Sequence, residues 1–312
     1  MNRISWFGAV LAGLLVMSGC STVHRSYQAV ADKGHEMLRW YKSSDDNLVK
    51  TVGVAWVSNQ SGYPVADFEM TYTAQLADRL RAEGGRLRIV SAAEPSAPEI
   101  LQRLPRTPEG RIDNFDLALM ARQHGMDAVV IAALIDVRDR RQERGIWWFK
   151  DVYDYIDITM DIEVYDSETG AKLIDERLTH AIEADIPMIM PSQPSAETLP
   201  AQVFDEIGAM LPQVARRVTD VMALRPWVGF IREVSGKRVV LSAGADTGLK
   251  PGDILEVFDN TRVIQGVDDV HFFVPGAKIG EIEITASLPD RIEARTLSDA
   301  VLWAGSPVKL KD

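Results

Sequence analysis

The hydrophobic positions in residues 48–225 predict strands and helices that alternate along the chain. Apolar runs at 48–57 and 128–137 predict buried strands, because a strand covered on both faces shows no polar alternation. Between them, apolar residues recur three or four positions apart in two segments, which predict amphipathic helices with Asp67 and Asp113 as N-caps. This order is typical of an α/β domain.

Near residue 156 the spacing of the apolar residues changes to every second position. Apolar side chains from Ile156 to Val164 alternate with polar ones, which predicts a strand with one buried face. A turn follows, and residues 172–183 are predicted to return as the hairpin partner. We therefore expect a mixed sheet, with parallel and antiparallel strands, in the α/β domain.

A long helical stripe follows at 203–221, in which we expect Pro212 to kink or divide the helix. After Pro226 only short, strand-like segments separated by glycine remain. Short strands at close spacing are typical of a small antiparallel barrel. We therefore predict two independently folded domains, an α/β domain at 47–225 and an all-β, SH3-like barrel at 226–312.

The first twenty residues have the organisation of a secretory signal. A short basic start is followed by an apolar run at 6–16, which is too short to cross a bilayer, and then by Met17-Ser18-Gly19-Cys20. A cysteine directly after small residues resembles the lipobox of bacterial lipoproteins, in which that thiol carries diacylglycerol. We predict a signal peptide at 1–19, lipid on Cys20, and a tether with a helix at 20–46.

Cys20 is the only cysteine in the chain, and lipidation accounts for a lone thiol in an oxidising compartment. Two or more acyl chains anchor a protein stably to a membrane. Ser21 follows, and by resemblance to the enterobacterial sorting rule it indicates the outer membrane, at its periplasmic face.

The net charge of −11 disfavours nucleic acid and anionic lipid as electrostatic partners. Motifs for catalysis are absent from the sequence. No phosphate-binding loop occurs, and the His35-Glu36 pair lacks a second histidine because residue 39 is Arg39. Ser306 and Lys309 have the spacing of penicillin-recognising enzymes, but they lie on a predicted strand rather than at a helix N-terminus. We expect no cofactor and no enzymatic activity.

Metal binding is not expected either, although one strand is acidic. Carboxylates along a single strand diverge, so we expect a solvated sheet face rather than a calcium site. The acidic positions are Asp154, Asp157, Asp161, Glu163 and Asp166.

One short segment has the composition of a contact site. Trp147, Trp148 and Phe149 lie between two strand-like segments and are flanked by Arg144 and Lys150. At a hairpin tip these rings would anchor a protein partner or a lipid interface, whereas the alternative is that they fold back into the core. We name them as a candidate partner contact.

Two motifs resemble a known periplasmic domain. Residues 121–130, Ala-Arg-Gln-His-Gly-Met-Asp-Ala-Val-Val, end a helix and start a strand, and residues 164–170, Val-Tyr-Asp-Ser-Glu-Thr-Gly, close a later strand. Together they resemble the α/β domain shared by curli-secretion lipoproteins, outer-membrane activators of penicillin-binding proteins and the flagellar assembly protein T family. The glycine turns at 248–257 and 303–309 are similar to the C-terminal barrel of the flagellar family.

The resemblance implies a non-catalytic scaffold or assembly factor, for example for the flagellar basal body. It also implies protein partners in the cell envelope, including a ring-forming homo-oligomer. The alternatives are an activator of a cell-wall synthase, a curli-type secretion component and a hydrolase. An acidic cleft with perturbed carboxylates would favour the hydrolase.

Overall fold

The computed structural model describes residues 47–183, 201–267 and 270–311. Its N-terminal part is built on a mixed sheet, whose strands are β1 Lys50–Val54, β2 Ser58–Asn59, β3 Leu87–Ser91, β4 Ala128–Ile146, β5 Phe149–Asp166 and β6 Lys172–Glu183. The strand order is β3-β1-β4-β5-β6, with β2 pairing on β4. Strands β1, β2 and β3 run parallel to their neighbours, and β4, β5 and β6 are antiparallel to one another. The expected mixed sheet is confirmed.

Helices cover both faces of this sheet. Helices α1 (Phe68–Ala82) and α4 (Ala201–Ala223) pack on one face, where the apolar side of β5 and the stripe of α4 form the main core. Helices α2 (Glu99–Gln102) and α3 (Asn114–Gln123) pack on the other face, in a smaller core. Pro212 lies inside α4 without dividing it.

The two predicted N-caps have different outcomes. The Asp113 side chain accepts hydrogen bonds from the backbone N–H groups of Phe115 and Asp116, as an N-cap does. Asp67 precedes α1 but makes no capping bond, because its backbone is left-handed at φ 55°. Asp67 is therefore the N-cap residue of α1 by position, but its side chain does not cap the helix.

The strand predicted at 128–137 is too short. It continues as β4 to Ile146 and turns through Trp147 and Trp148 into β5, which starts at Phe149. The added part is rich in charged residues and exposed, so it lacks the apolar run that predicted its first half.

Residues 229–310 contain a closed six-stranded barrel. Its strands are β7 Gly229–Ser235, β8 Arg238–Leu241, β9 Ile254–Phe258, β12 Lys278–Ser287, β13 Ile292–Thr296 and β14 Pro307–Leu310, in the order β12-β13-β8-β7-β14-β9. A small hairpin outside the barrel, formed by β10 Val263–Gln265 and β11 His271–Phe273, was not predicted from the sequence. The all-β barrel itself is confirmed.

The barrel and the sheet pack together within one compact unit, Asn47–Asp312. Leu48, just before β1, belongs to the hydrophobic core of the barrel, and the N–H of Val49 donates to the carbonyl of Thr247. Gly125 approaches the barrel so closely that a Cβ there would lie 2.1 Å from the carbonyl oxygen of Ser242. Within the described residues, no helix has the length and apolarity needed to cross a membrane.

Candidate functional site

Strands β4 and β5 extend beyond the last described residue of β6 as a two-stranded ribbon. The last described residue of β6, Glu183, pairs with Tyr155 on β5. Beyond this point six further residue pairs join β4 to β5, and at about 3.4 Å per residue they extend the ribbon by roughly 20 Å. The last residue pair of the ribbon is Ile146 with Phe149. The chain therefore presents the two-residue turn at 147–148 well away from the sheet.

The turn has an unusual backbone. Trp147 has a φ of 56°, in the left-handed region that disfavours any residue with a Cβ. For an L-residue this conformation costs about 1–2 kcal/mol relative to the right-handed one. A bulky side chain at such a position is a reason to look for a function.

Both indole rings lie in solvent. Trp147 is 77% exposed and Trp148 is 74% exposed, and their ring centroids are 5.1 Å apart in an edge-to-face arrangement. The alternative that these rings fold back into the core is therefore wrong. Two adjacent indoles offer a large apolar surface.

Arginine and tyrosine side chains stiffen the base of the ribbon. The guanidinium of Arg140 forms two hydrogen bonds with Asp157, of 2.7 and 3.0 Å, and lies 4.9 Å from the centre of the Tyr155 ring. Arg144 lies over the rings of Tyr153 and Tyr155, at 5.6 and 5.2 Å. An isolated two-stranded hairpin is marginal in water, so these cross-strand contacts help to hold the turn in place.

The acidic side chains predicted on β5 all have cationic partners. Each carboxylate accepts from a neighbouring side chain at 2.5–3.0 Å: Asp154 from Arg141, Asp157 from Arg140, Asp161 from Arg177, Glu163 from Lys172 and Asp166 from Arg225. This pairing uses carboxylate oxygens that a calcium ion would need. Within the three described ranges, no group of three or more His, Cys, Asp or Glu side chains is arranged to hold a metal ion.

The two motifs that resemble the periplasmic family meet where the sheet contacts the barrel. Asp127, at the start of β4, accepts a 2.7 Å hydrogen bond from the N–H of Thr51 and a 3.3 Å bond from the N–H of Val228, just before β7. Burial raises the pKa of Asp127 to about 7, although both backbone donors oppose the shift. The Asp127 carboxylate therefore links β1 to the first residues of the barrel.

Arg122 contributes a buried guanidinium to the same joint. It donates to the carbonyl oxygens of Ser167 and Glu168, at 2.7 and 2.6 Å, and lies 3.8 Å from the centre of the Phe273 ring. Burial lowers the pKa of Arg122 to about 10, against the opposing effect of Glu168. At neutral pH the side chain therefore stays charged.

A second pair of contacts crosses the joint at Glu168. Its carboxylate lies 2.8 Å from the ammonium of Lys309, on β14, and 3.5 Å from Arg225, after α4. These groups bind β14 and the end of α4 to the turn after β5, so they form a structural joint. Sequence reasoning quoted Arg122, Asp127 and Glu168 as motif residues but did not place them together.

A cleft of about 850 Å³ lies between the loop at 107–114, the start of β6 and the β10–β11 hairpin. Four of its titratable groups contact one another. Lys172 bonds to Glu163 and Asp175, and the Tyr165 hydroxyl donates to Glu163 at 2.9 Å. Burial and the Glu163 carboxylate raise the pKa of Tyr165, so the hydroxyl keeps its proton.

The predicted site residues thus fall into different regions. Cys20, with the predicted signal peptide and tether, lies outside the described residues. Trp147 and Trp148 lie at the tip of the ribbon, and Phe149 pairs with Ile146 through its backbone, while its side chain lies outside what the structure describes. That these residues contact a partner stays a prediction.

No protein-family model and no curated protein matches the chain. Solved structures match part of it. A hypothetical protein from Chlamydia trachomatis, CT253, is 11% identical, with a TM-score of 0.31 over 56% of this chain and 96% of that one. A PelC dodecamer from Paraburkholderia phytofirmans is 15% identical, with a TM-score of 0.31 over 56% and 89%. Lipoprotein GNA1162 from Neisseria meningitidis is 13% identical, with a TM-score of 0.27 over 54% and 99%. At these TM-scores the likeness carries no conclusion about function.

Proposed function

We propose that this chain is a non-catalytic lipoprotein of the bacterial cell envelope that acts as a scaffold or assembly factor. It is anchored to the periplasmic face of the outer membrane by lipid on Cys20. Its tip, Trp147 and Trp148, binds a protein partner, and the flagellar basal body is the assembly suggested by the sequence resemblance. Its barrel belongs to the SH3-like class.

The observation that carries the proposal is the exposed tryptophan pair on a strained turn. In the free protein, about three quarters of each indole faces water, and Trp147 also has an unfavourable backbone conformation. Tryptophans are enriched among the residues that dominate binding energy at protein interfaces, so a partner surface accounts for both features.

Two features support a non-catalytic role over a hydrolase. The strongly perturbed carboxylate, Asp127, is buried in the joint and bonded to backbone N–H groups. The cleft carboxylates Glu163 and Asp175 are ion-paired to Lys172. A catalytic acid or base needs a perturbed pKa in a place that substrate can reach.

The test is the double variant Trp147→Ala with Trp148→Ala. Since both rings are exposed, we expect the melting temperature to change by no more than a degree or two, while binding to the envelope partner weakens by roughly 2 kcal/mol or more, about thirtyfold. Thermal melting and co-purification from membranes measure the two effects. Val152→Ala, an exposed apolar residue on the ribbon but not at the tip, is the matched control. Unchanged co-purification of the double variant would contradict the proposal.

A further inference from the structure

Strand β6 lies at an edge of the sheet, and no described strand pairs with its outer side. It is the last strand in the order β3-β1-β4-β5-β6 and has twelve residues, Lys172–Glu183. Across residues 47–183, 201–267 and 270–311, its only strand partner is β5. Strands average about five or six residues, so this edge offers an unusually long row of backbone N–H and C=O groups.

We propose that a second copy of this chain pairs with β6 along this edge, antiparallel and about a two-fold axis that passes beside Leu178. The two sheets then form one continuous sheet across the dimer. This inference does not rest on the proposed scaffold function, because it uses neither the lipid nor the tryptophan tip.

Symmetry limits the registers that such a pair can adopt. Facing residues of antiparallel strands project to the same side of a sheet, and a one-residue slip reverses the sides. A two-fold axis normal to the sheet must therefore place one residue opposite its own copy. With Leu178 on the axis, Glu176 faces His180 and Ile174 faces Ile182 on the side of the sheet that carries α4. On the other side, Arg177 faces Thr179 and Asp175 faces Ala181.

Charge selects this register over its neighbours. If one strand slides by two residues in one direction, Arg177 faces its own copy. If it slides by two residues in the other direction, Asp175 faces Glu183. Like charges directly opposite each other destabilise a strand pair, whereas the Leu178 register places none opposite.

The apolar contacts of the register continue the existing core. Leu178 and Ile182 are partly buried against the core beneath α4. Pairing places Leu178 against its copy and Ile182 against the Ile174 of the second chain. The edge thus places apolar contact at its centre, as a self-complementary surface at a two-fold axis allows, while Glu176 stays paired with Arg217 and His180 with Glu206 within each chain.

Disulfide trapping tests the register in the full-length chain. Residues directly opposite have Cα atoms about 4.5–5.5 Å apart, within disulfide reach. Leu178→Cys should therefore give a covalent dimer on mild oxidation, seen on a non-reducing gel. Arg177→Cys is the matched control, since its copy lies two residues away diagonally, at about 7–8 Å. The wild-type chain controls for any crosslink through Cys20.

A mixed pair avoids any effect of Leu178→Cys on folding, because both positions lie on the polar side of the strand. Arg177→Cys and Thr179→Cys should each stay monomeric alone but crosslink when the two variants are co-expressed. Dimers from Leu178→Cys and from the mixture, with none from the single controls, would support the proposal. Dimers from Arg177→Cys alone, or no dimer from the mixture, would overturn it.

Discussion

Asp127 shows how one buried side chain joins two parts of the chain. Its oxygens accept from Thr51, on β1, and from Val228, at the start of the barrel. A buried carboxylate is costly when ionised, and two backbone donors offset only part of that cost. The result is a pKa raised to about 7, which makes the stability of the joint depend on pH.

Asp127→Asn should remove this pH dependence. The folded state holds the Asp127 proton more tightly than the unfolded state, whose pKa is near 3.8. The wild type therefore loses stability as pH rises from about 4 to about 7, by a few kcal/mol at most, since one pKa unit corresponds to about 1.4 kcal/mol. The amide that replaces the carboxyl group cannot ionise, although it offers one acceptor fewer.

Urea unfolding of both proteins between pH 4 and pH 8 measures this effect. As pH rises from about 4 to about 7, the free energy of unfolding of the variant should increase relative to that of the wild type. Above about pH 7 the difference between the two proteins should stay constant. A difference that stays constant with pH would contradict the burial of an ionisable Asp127.

Some residue-level features could be predicted from the sequence and others could not. Two tryptophans between strand-like segments identified a place where a hairpin tip was one of two interpretations, and their exposure separates it from burial in the core. Arg122 gave no such signal, because arginine is rarely fully buried and its partners Ser167 and Phe273 come much later in the chain. Burial of this kind is a property of the tertiary fold.

At the scale of elements, the N-termini of α1 and α3 differ in their capping. The Asp113 side chain caps α3, whereas the Asp67 side chain makes no capping bond to α1. Both aspartates stand just before a helix, and only the backbone angles separate them. Asp113 has the extended backbone that turns its side chain toward the first N–H groups, whereas the left-handed Asp67 does not. Sequence alone cannot separate these cases.

Asp113→Ala should lower the free energy of unfolding by about 1 kcal/mol, because it removes both capping bonds. Asp67→Ala should cost well under half of that, since it removes no capping bond. Chemical denaturation of the two single variants measures both values. Equal losses would show that Asp67 caps α1 in solution.

Strand lengths also show where sequence patterns fail. The ribbon part of β4 is exposed on both faces and rich in arginine, so its hydrophobic pattern has no strand period. Its pairing with β5 is held by cross-strand contacts such as Arg141 with Asp154. The β10–β11 hairpin has only three residues in each strand, too few for a period to be read.

At the scale of the whole molecule, the barrel and the sheet depend on shared contacts. Phe273, from the hairpin outside the barrel, stacks on Phe115 of α3 with ring centroids 4.4 Å apart. Leu48 lies in the barrel core although it precedes the first strand of the sheet. The boundary near residue 226 and the independent folding of residues 227–312 stay predictions. The contacts of Asp127 and Glu168 with the barrel are the ones that an isolated fragment would lose.

Cys20→Ser should release the protein from the membrane or leave its signal uncleaved. The prediction rests on the single cysteine after Met17-Ser18-Gly19. Fractionation and metabolic labelling with a palmitate analogue measure it, with the wild-type chain as control. Label that persists in the variant would mean that another residue carries the lipid.

The central claim is that the tip binds a protein in the cell envelope, and photo-crosslinking in living cells tests it most directly. A photoreactive residue in place of Trp148 should form a discrete protein adduct, and that adduct should be lost when Trp147→Ala is added. The same residue in place of Val301, which is 81% exposed on the barrel, should not form it. Adducts with lipid only, or the same adduct from position 301, would contradict the account.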